Sequence, residues 1–273
     1  SANGIYPVGT TVVTWTVTDV NGNTNTCTQN VVVTDTELPA ITCAGAVNLN
    51  ASAGLCTGNA VVPVPTLATD NCGVFSILND YNGTVSANDI YPVGTTVVTW
   101  EVTDLSGNTN TCTQNVVVTD AQAPAVTCAG AVNLNASAGL CTGNAVVPVP
   151  TTATDNCGVA TILNSFNGTG SANGIYPVGT TVVTWTVTDV NGNTNTCTQN
   201  VVVTDAQAPA VTCAGAVNLN ASAGLCTGNA VVPVPTTATD NCAVATILNS
   251  FNGGASANGI YPVGTTVVTW TVT

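Results

Sequence analysis

Nine of the thirteen acidic residues stand in three sets that recur at a step of 85 residues. Asp19, Asp104 and Asp189 open the segments DVNGN or DLSGN. Asp35, Asp120 and Asp205 follow valine-rich runs, and Asp70, Asp155 and Asp240 precede Asn-Cys. Carboxylates, hydroxyls, thiols and backbone groups are the only reactive chemistry here, because the 273-residue chain has no Lys, Arg or His. The usual acid–base and nucleophilic machinery therefore lacks its side chains. A carboxylate pair of the glycosidase kind would remain, but near-identical active sites in tandem are not expected, so the chain reads as no enzyme. Clustered carboxylates with no cationic side chain to offset them repel one another. Hard oxygen donors without imidazole suit Ca²⁺. The competing reading is that each Asp caps its own turn through Asx hydrogen bonding.

Twelve cysteines point to an oxidising compartment, extracellular or at the cell surface. Four fall in each step (Cys43, Cys56, Cys72 and Cys112 are one set), and four cysteines allow three pairings, among which spacing does not choose. Four thiolates on zinc would compete with disulfides, but there is no Cys-x2-Cys pair, which also removes the usual redox motif. The net charge of −13 argues against nucleic acid and against an anionic membrane surface. No apolar run reaches the ~20 residues that span a bilayer, so no membrane insertion is expected in this segment.

The elements that must position these groups obey the same step. Tyr-Pro-Val-Gly-Thr-Thr-Val-Val-Thr-Trp begins at Tyr6, Tyr91, Tyr176 and Tyr261, and residues 1–18 recur as residues 256–273. The chain is thus expected to begin and end within a repeat of a longer protein. The alternative is a subunit whose open end is completed by the first strands of the next copy. Within one step, alternation predicts strands at Val47–Ala51, Ala60–Pro65, Val74–Leu78, Thr95–Thr103 and Cys112–Thr119, with turn signals every 8–12 residues. Asn79 to Asn88 reads as a loop and Asp104 to Asn108 as a hairpin turn. This pattern is all-β: tandem antiparallel β-sandwiches of 85 residues. In such a sandwich the Asp70 turn, the last hairpin and the incoming linker lie at one end, so Asp35, Asp70 and Asp104 are expected to converge at a junction, as are their equivalents. Trp15, Trp100, Trp185 and Trp270 stand mid-strand among valines and read as core rather than as sugar-stacking platforms. Asn50, Asn135 and Asn220 (Asn-Ala-Ser) and Asn82 and Asn167 (Asn-Gly-Thr) fit the glycosylation triplet, which also arises by chance in so Asn-, Ser- and Thr-rich a chain.

Pro-Ala-Val-Thr-Cys, Thr-Asp-Asn-Cys-Gly, Tyr-Pro-Val-Gly-Thr-Thr-Val-Val and Thr-Asp-Val-Asn-Gly-Asn-Thr-Asn-Thr-Cys, in this order, resemble the HYR (hyalin repeat) domain. The resemblance covers the whole chain and implies immunoglobulin-like sandwiches of an extracellular protein, of the kind strung in tandem in bacterial surface and secreted proteins. Repeats are expected at 38–121 and 123–206, with parts of further repeats at 1–37 and 208–273. The family's habit of keeping the first and last cysteine implies that first pairs with fourth and second with third. The implied disulfides are Cys43–Cys112, Cys56–Cys72, Cys128–Cys197, Cys141–Cys157 and Cys226–Cys242, with Cys27 and Cys213 paired outside the chain. The function implied is a structural segment of an extracellular filament or stalk, stiffened by disulfides and by junction calcium. The second reading is an adhesin that binds carbohydrate or matrix through loops at one end of each repeat. Its partners would be further copies of the repeat, and glycans.

Overall fold

The computed structural model describes residues 1–273, which form strands and turns with no helix, and hence no helix long and apolar enough to cross a membrane. Two compact units emerge. The first comprises Ser1–Gln122 with the short turn Asp155–Gly158, and the second comprises Ala123–Thr154 with Val159–Thr273.

The first unit opens with a hairpin of β1 (Gly9–Thr18) and β2 (Thr24–Val33), in register from Gly9 opposite Val33 to Thr18 opposite Thr24. Eight strands follow: β3 (Ala40–Thr42), β4 (Val47–Asn50), β5 (Thr57–Ala60), β6 (Leu67–Thr69), β7 (Val74–Asn79), β8 (Asp89–Pro92), β9 (Gly94–Asp104) and β10 (Thr109–Thr119). One sheet has the order β4-β10-β9-β7, and its β4–β10 pair is parallel, the one departure from the antiparallel expectation. The pairs β3–β6 and β5–β8 supply the opposing residues. Along β9 the alternation holds as expected: Val98, Trp100 and Val102 are fully buried while Glu101 is exposed. Val98 and Trp100 join Val116 and Val118 of β10, Tyr91 of β8, and Ala60 and Val62 in one core. The indole N–H of Trp100 donates to Gln114 Oε1 (3.1 Å), and Gln114 Nε2 donates to the Gly45 carbonyl (3.0 Å), so the buried polar atoms are satisfied. The Tyr91 hydroxyl donates to the Ala87 carbonyl four residues upstream (2.7 Å), and burial, then Tyr81, Asp89 and Asp80, push its phenol up to about 12.

One predicted strand is misplaced. Ala60–Pro65 is not a strand beyond Ala60, because Pro63 and Pro65 have no N–H to give to a ladder. The strand lies just before it, at Thr57–Ala60, and Val62 N–H donates instead to Asn88 Oδ1 (2.6 Å).

The second unit repeats the design with β11 (Ala125–Thr127), β12 (Val132–Asn135), β13 (Thr142–Ala145), β14 (Thr152–Thr154), β15 (Val159–Asn164), β16 (Gly174–Pro177), β17 (Gly179–Asp189) and β18 (Thr194–Thr204). Its four-stranded sheet has the order β12-β18-β17-β15, and Val183, Trp185, Val201, Val203 and Tyr176 build its core. It continues into β19 (Ala210–Thr212), β20 (Thr227–Ala230), β21 (Thr237–Thr239), β22 (Ile247–Asn249), β23 (Gly259–Pro262) and β24 (Trp270–Val272). Here Val217–Asn220 repeats the VNLN of β4 and β12 but is no strand, and β24 keeps three residues where β17 has eleven. In both cases the strand equivalent to β10 and β18 is missing beside them.

Local strain also marks this last stretch. Gly73 and Gly158 follow the Asn-Cys turn at φ +103° and +108°, whereas Ala243 occupies that place at φ 132°. A side chain held there costs about 1–3 kcal/mol. Ala243→Gly is expected to raise the stability of the second unit by an amount of that order, read as a shift of its denaturation midpoint. An unchanged or lowered midpoint would show that the turn carries no strain.

Candidate functional site

Three cysteine–carboxylate clusters recur at the 85-residue step: Asp35, Asp70 and Cys72; Asp120, Asp155 and Cys157; Asp205, Asp240 and Cys242. In each, one side-chain ligand atom per residue lies within 4.8 Å of the others. The turn that carries Asp155 is built by its own carboxylate, which accepts Cys157 N–H at 2.8 Å; Asp70 and Asp240 do the same for Cys72 and Cys242. The second carboxylate arrives on the segment after the last strand: Asp120 Oδ1 accepts Gln122 N–H at 3.0 Å. Asn156 Nδ2 links the two by donating to Asp120 Oδ1 (3.3 Å) and to the Leu55 carbonyl (2.9 Å). Asn241 repeats this towards Asp205 and Leu140. Gly54 N–H donates to Gln122 Oε1 and Gly139 N–H to Gln207 Oε1, at 3.0 and 3.1 Å.

Several side-chain oxygens of the three Asp-Asn-Cys turns have no hydrogen-bond partner and almost no contact with solvent: Asp70 Oδ2, Asp155 Oδ1, Asn156 Oδ1, Asp240 Oδ1 and Asn241 Oδ1. A buried oxygen left unpaired costs free energy, and an anionic one more so. Paired carboxylates with no cationic side chain anywhere fit a hard divalent cation. The Cys157 and Cys242 sulfurs do not take part as thiolates, because both are in disulfides.

The third aspartate set behaves differently. Asp104 accepts the N–H groups of Ser106 and Asn108 (both 2.8 Å) and the Asn108 side-chain amide (2.7 Å). Burial opposes its ionisation, yet those donors outweigh it and hold the carboxyl below its ordinary value, as they do for Asp189. Asp19 is held down first by the Asn23 side chain. These three aspartates cap their hairpin turns. Asp104 still lies near the first cluster: Ser106 Oγ donates to Asp35 Oδ2 (3.2 Å), and Cys72 is pushed up by burial, by its hydrogen bond to Asp35, and by Asp35, Asp70 and Asp104.

The disulfides require a correction. Cys43–Cys112 and Cys128–Cys197 are bonded, with Cα atoms 5.7 and 5.6 Å apart. The expected pairs Cys56–Cys72, Cys141–Cys157 and Cys226–Cys242 are not formed. Cys56 is bonded to Cys157 and Cys141 to Cys242, both at a sequence separation of 101, while Cys27, Cys72, Cys213 and Cys226 are free. The register explains why. Val93 N–H donates to the Cys56 carbonyl where β9 begins, whereas Leu105 N–H donates to the Gly73 carbonyl where β9 has ended. An eleven-residue strand separates them, roughly 35 Å at about 3.3 Å per residue. A disulfide spans at most about 7 Å between Cα atoms. Cys56 and Cys72 therefore lie at opposite ends of β9 and cannot pair, and Cys56 bonds instead to Cys157.

Trp100 and Trp185 are fully buried, as expected of core residues, whereas Trp15 is 39% exposed in its lone hairpin. Asn50, Asn135, Asn220, Asn82 and Asn167 are exposed. Asn82 Oδ1 accepts from Thr84, and Asn167 Nδ2 donates to the Ser171 carbonyl (2.8 Å), so these two hold their own loops. The sequence reading missed Asn156, Asn241, Gln122 and Gln207. Their recurrence at the 85-residue step beside Cys and Asp was the available signal.

The HYR domain family model matches residues 34–118 and 119–203. No curated protein matches the chain. Among solved structures, protocadherin gamma B2 extracellular cadherin domains 1–5 aligns at 11% identity and TM-score 0.33, over 89% of this chain and 55% of that one. Human protocadherin-24 EC1-2 aligns at 14% and 0.30, over 62% and 99%. Mouse PcdhgC3 EC1-3 aligns at 16% and 0.31, over 72% and 77%. The chain thus spans about half the length of the first of these structures.

Proposed function

Because this chain belongs to the HYR domain family, we propose that it is a structural segment of an extracellular filament or stalk, built from repeats at 38–121 and 123–206 and stiffened by disulfides and calcium. The observation that carries the reading is the 101-residue disulfide, which ties the Asp-Asn-Cys turn of one repeat to the repeat before it. Such a bond does nothing for a lone domain. It fits a chain whose task is to hold successive domains in register under load. Such bonds persist in an oxidising setting, which the extracellular space provides.

Calcium is the second component. Asp35 with Asp70, Asp120 with Asp155, and Asp205 with Asp240 would hold the ion, with the Asn156 and Asn241 side-chain oxygens as further donors. When bound, the cation supplies the positive charge that no side chain of this protein provides. The protein's own share is positioning: the Asx turn orients one carboxylate of each pair, and Asn156 or Asn241 braces it against the other. A cation that binds only the folded state stabilises it by mass action, about 2.7 kcal/mol at a hundredfold excess over Kd.

Titration calorimetry with CaCl₂ on chelator-stripped protein is expected to show binding, and melting is expected to rise with CaCl₂. Asp155→Asn with Asp240→Asn should abolish most of both effects. No heat of binding and an unchanged melting curve would remove calcium from the function. The load-bearing reading has a separate test. Reduction should increase flexibility in small-angle scattering, and equal flexibility with and without reductant would overturn it.

A further inference from the structure

Residues 119–203, one full match to the family model, contain three Asn-Gly pairs: Asn167-Gly168, Asn173-Gly174 and Asn191-Gly192. All three asparagines are exposed. Glycine has no Cβ to block the approach of its own amide nitrogen to the side chain before it, so each pair could close on itself. Two of the three are tied. Asn167 Oδ1 accepts from Thr169 Oγ1 (2.8 Å) and Asn164 Nδ2 (3.0 Å), and its Nδ2 donates to the Ser171 carbonyl (2.8 Å). The Gly168 N–H is also engaged, donating to the Asn164 carbonyl at 3.0 Å. Asn173 Oδ1 accepts Val147 N–H (2.7 Å), and Gly174 already belongs to β16, opposite Ala145. Asn191 differs. It stands at the tip of the hairpin between β17 and β18, its side-chain amide has no partner in the protein, and Gly192 N–H reaches the Asp189 carbonyl only at 3.4 Å. The turn around it is nonetheless fixed, because Asp189 Oδ1 accepts the N–H groups of both Asn191 and Asn193 at 2.8 Å.

We propose that Asn191 is a site of self-modification, where the folded chain converts an uncharged amide into aspartate or isoaspartate by attack of its own Gly192 nitrogen. Gly192 N gives its proton to solvent base and bonds to Asn191 Cγ. The Cγ–Nδ2 bond breaks and the amide nitrogen takes up a proton and leaves as ammonia, which closes a five-membered succinimide. Water then opens the ring on either side. Opening at Cγ gives aspartate with the backbone unchanged, whereas opening at the main-chain carbonyl gives isoaspartate, whose chain runs through the side-chain methylene. In sum one water enters and one ammonia departs, with no oxidant or reductant. Isoaspartate lengthens the main chain of the turn by one carbon, so Asp189 can no longer hold the Asn193 N–H as it does now. The first repeat has Ser106-Gly107 at this place with the same turn bonds. Ser106 and Asn108 N–H donate to Asp104 Oδ1 at 2.8 Å, and Gly107 N–H lies 3.4 Å from the Asp104 carbonyl. That hairpin has no amide to lose, so the reaction marks one hairpin and spares the other.

The test incubates the full chain in warm, mildly alkaline buffer and follows it by peptide mapping with mass spectrometry. Amide-to-acid conversion at Asn191 should run at least about tenfold faster than at Asn167 or Asn173, because those two must first open their hydrogen bonds. Part of the product should be isoaspartate, labelled by an isoaspartyl methyltransferase used as a reagent. In urea with the disulfides reduced, the three rates should converge, since the Asn-Gly dipeptide is common to all. Asn191→Ser, which copies the turn at Ser106, should remove the Asn191 signal and leave the other two rates unchanged. In the isoaspartate fraction, the Asn193 amide should exchange hydrogen faster than in fresh protein. Equal rates at the three sites of the folded chain, a faster rate at Asn167 or Asn173, a difference that survives in urea, or an Asn193 amide equally protected in the isoaspartate fraction would each overturn the proposal.

Discussion

Replacing Cys128 and Cys197 together by serine is expected to lower the stability of their repeat by about 4 kcal/mol. The bond closes a separation of 69 residues, and in the chain-entropy model a loop of that size is worth roughly that amount. The loss is not entropic alone, because both cysteines pack against the core around Trp185 and Tyr176. For a domain of about 85 residues each kcal/mol moves the melting midpoint by about 4–8 °C. The double variant should therefore melt tens of degrees lower in a calorimetric scan. By contrast, neither Cys141 nor Cys242 is part of that packed cluster. Their removal should leave each repeat's own packing intact. A shift of under about 5 °C in the Cys128/Cys197 variant would mean that the core alone suffices to hold an 85-residue sandwich.

Truncating Trp185 to alanine is the second large effect, expected at about 3–5 kcal/mol. The side chain is fully buried against Val183 and Val201, and few other large side chains exist in a chain that is 4% aromatic. Its loss also strands a polar partner. The indole donates to Gln199 Oε1 at 3.1 Å, while Gln199 Nε2 donates to the Gly130 carbonyl at 3.0 Å. Without the indole, that oxygen stays buried and unpaired, which is costly in itself. Trp185→Phe should restore part of the packing but not the hydrogen bond, and so fall between the two in urea unfolding. Trp15→Ala, at a site 39% exposed, should cost under about 1 kcal/mol. Equal costs at both positions would show that Trp185 does not anchor its core.

Much of this architecture is legible in the residues. The 85-residue step, the alternation along Val98, Trp100 and Val102, and the Asp-x-x-Gly-Asn turn all report local rules that the folded chain obeys. The Asp35–Asp70 approach was foreseeable from the order of the loops. The partner of Cys56 was not. It depends on which end of the sandwich each cysteine occupies, and this follows from the register of β5 against β8 and of β7 against β9, two pairings distant in sequence. The family resemblance gave the long within-repeat bond correctly and misled on the other. The limit of local reading is plainest at Val-Asn-Leu-Asn, which is strand at 47–50 and 132–135 and not at 217–220. A parallel edge strand of four residues has no stability of its own and exists only where β10 or β18 lies beside it.

The 101-residue disulfides change what it means to cut this protein. Between Asp120 and Pro124 the backbone is the only peptide path from one repeat to the next, yet Cys56–Cys157 runs alongside it. A protease that nicked this segment would leave both fragments attached by sulfur, and the same holds for Asp205 to Pro209 beneath Cys141–Cys242. Trypsin-like enzymes would find no basic residue to cleave after in the first place. Severing the chain therefore takes two unlike chemical events, hydrolysis and reduction, at the same joint. For the extracellular stalk proposed above, that redundancy would protect each joint where damage accumulates and no new synthesis reaches it.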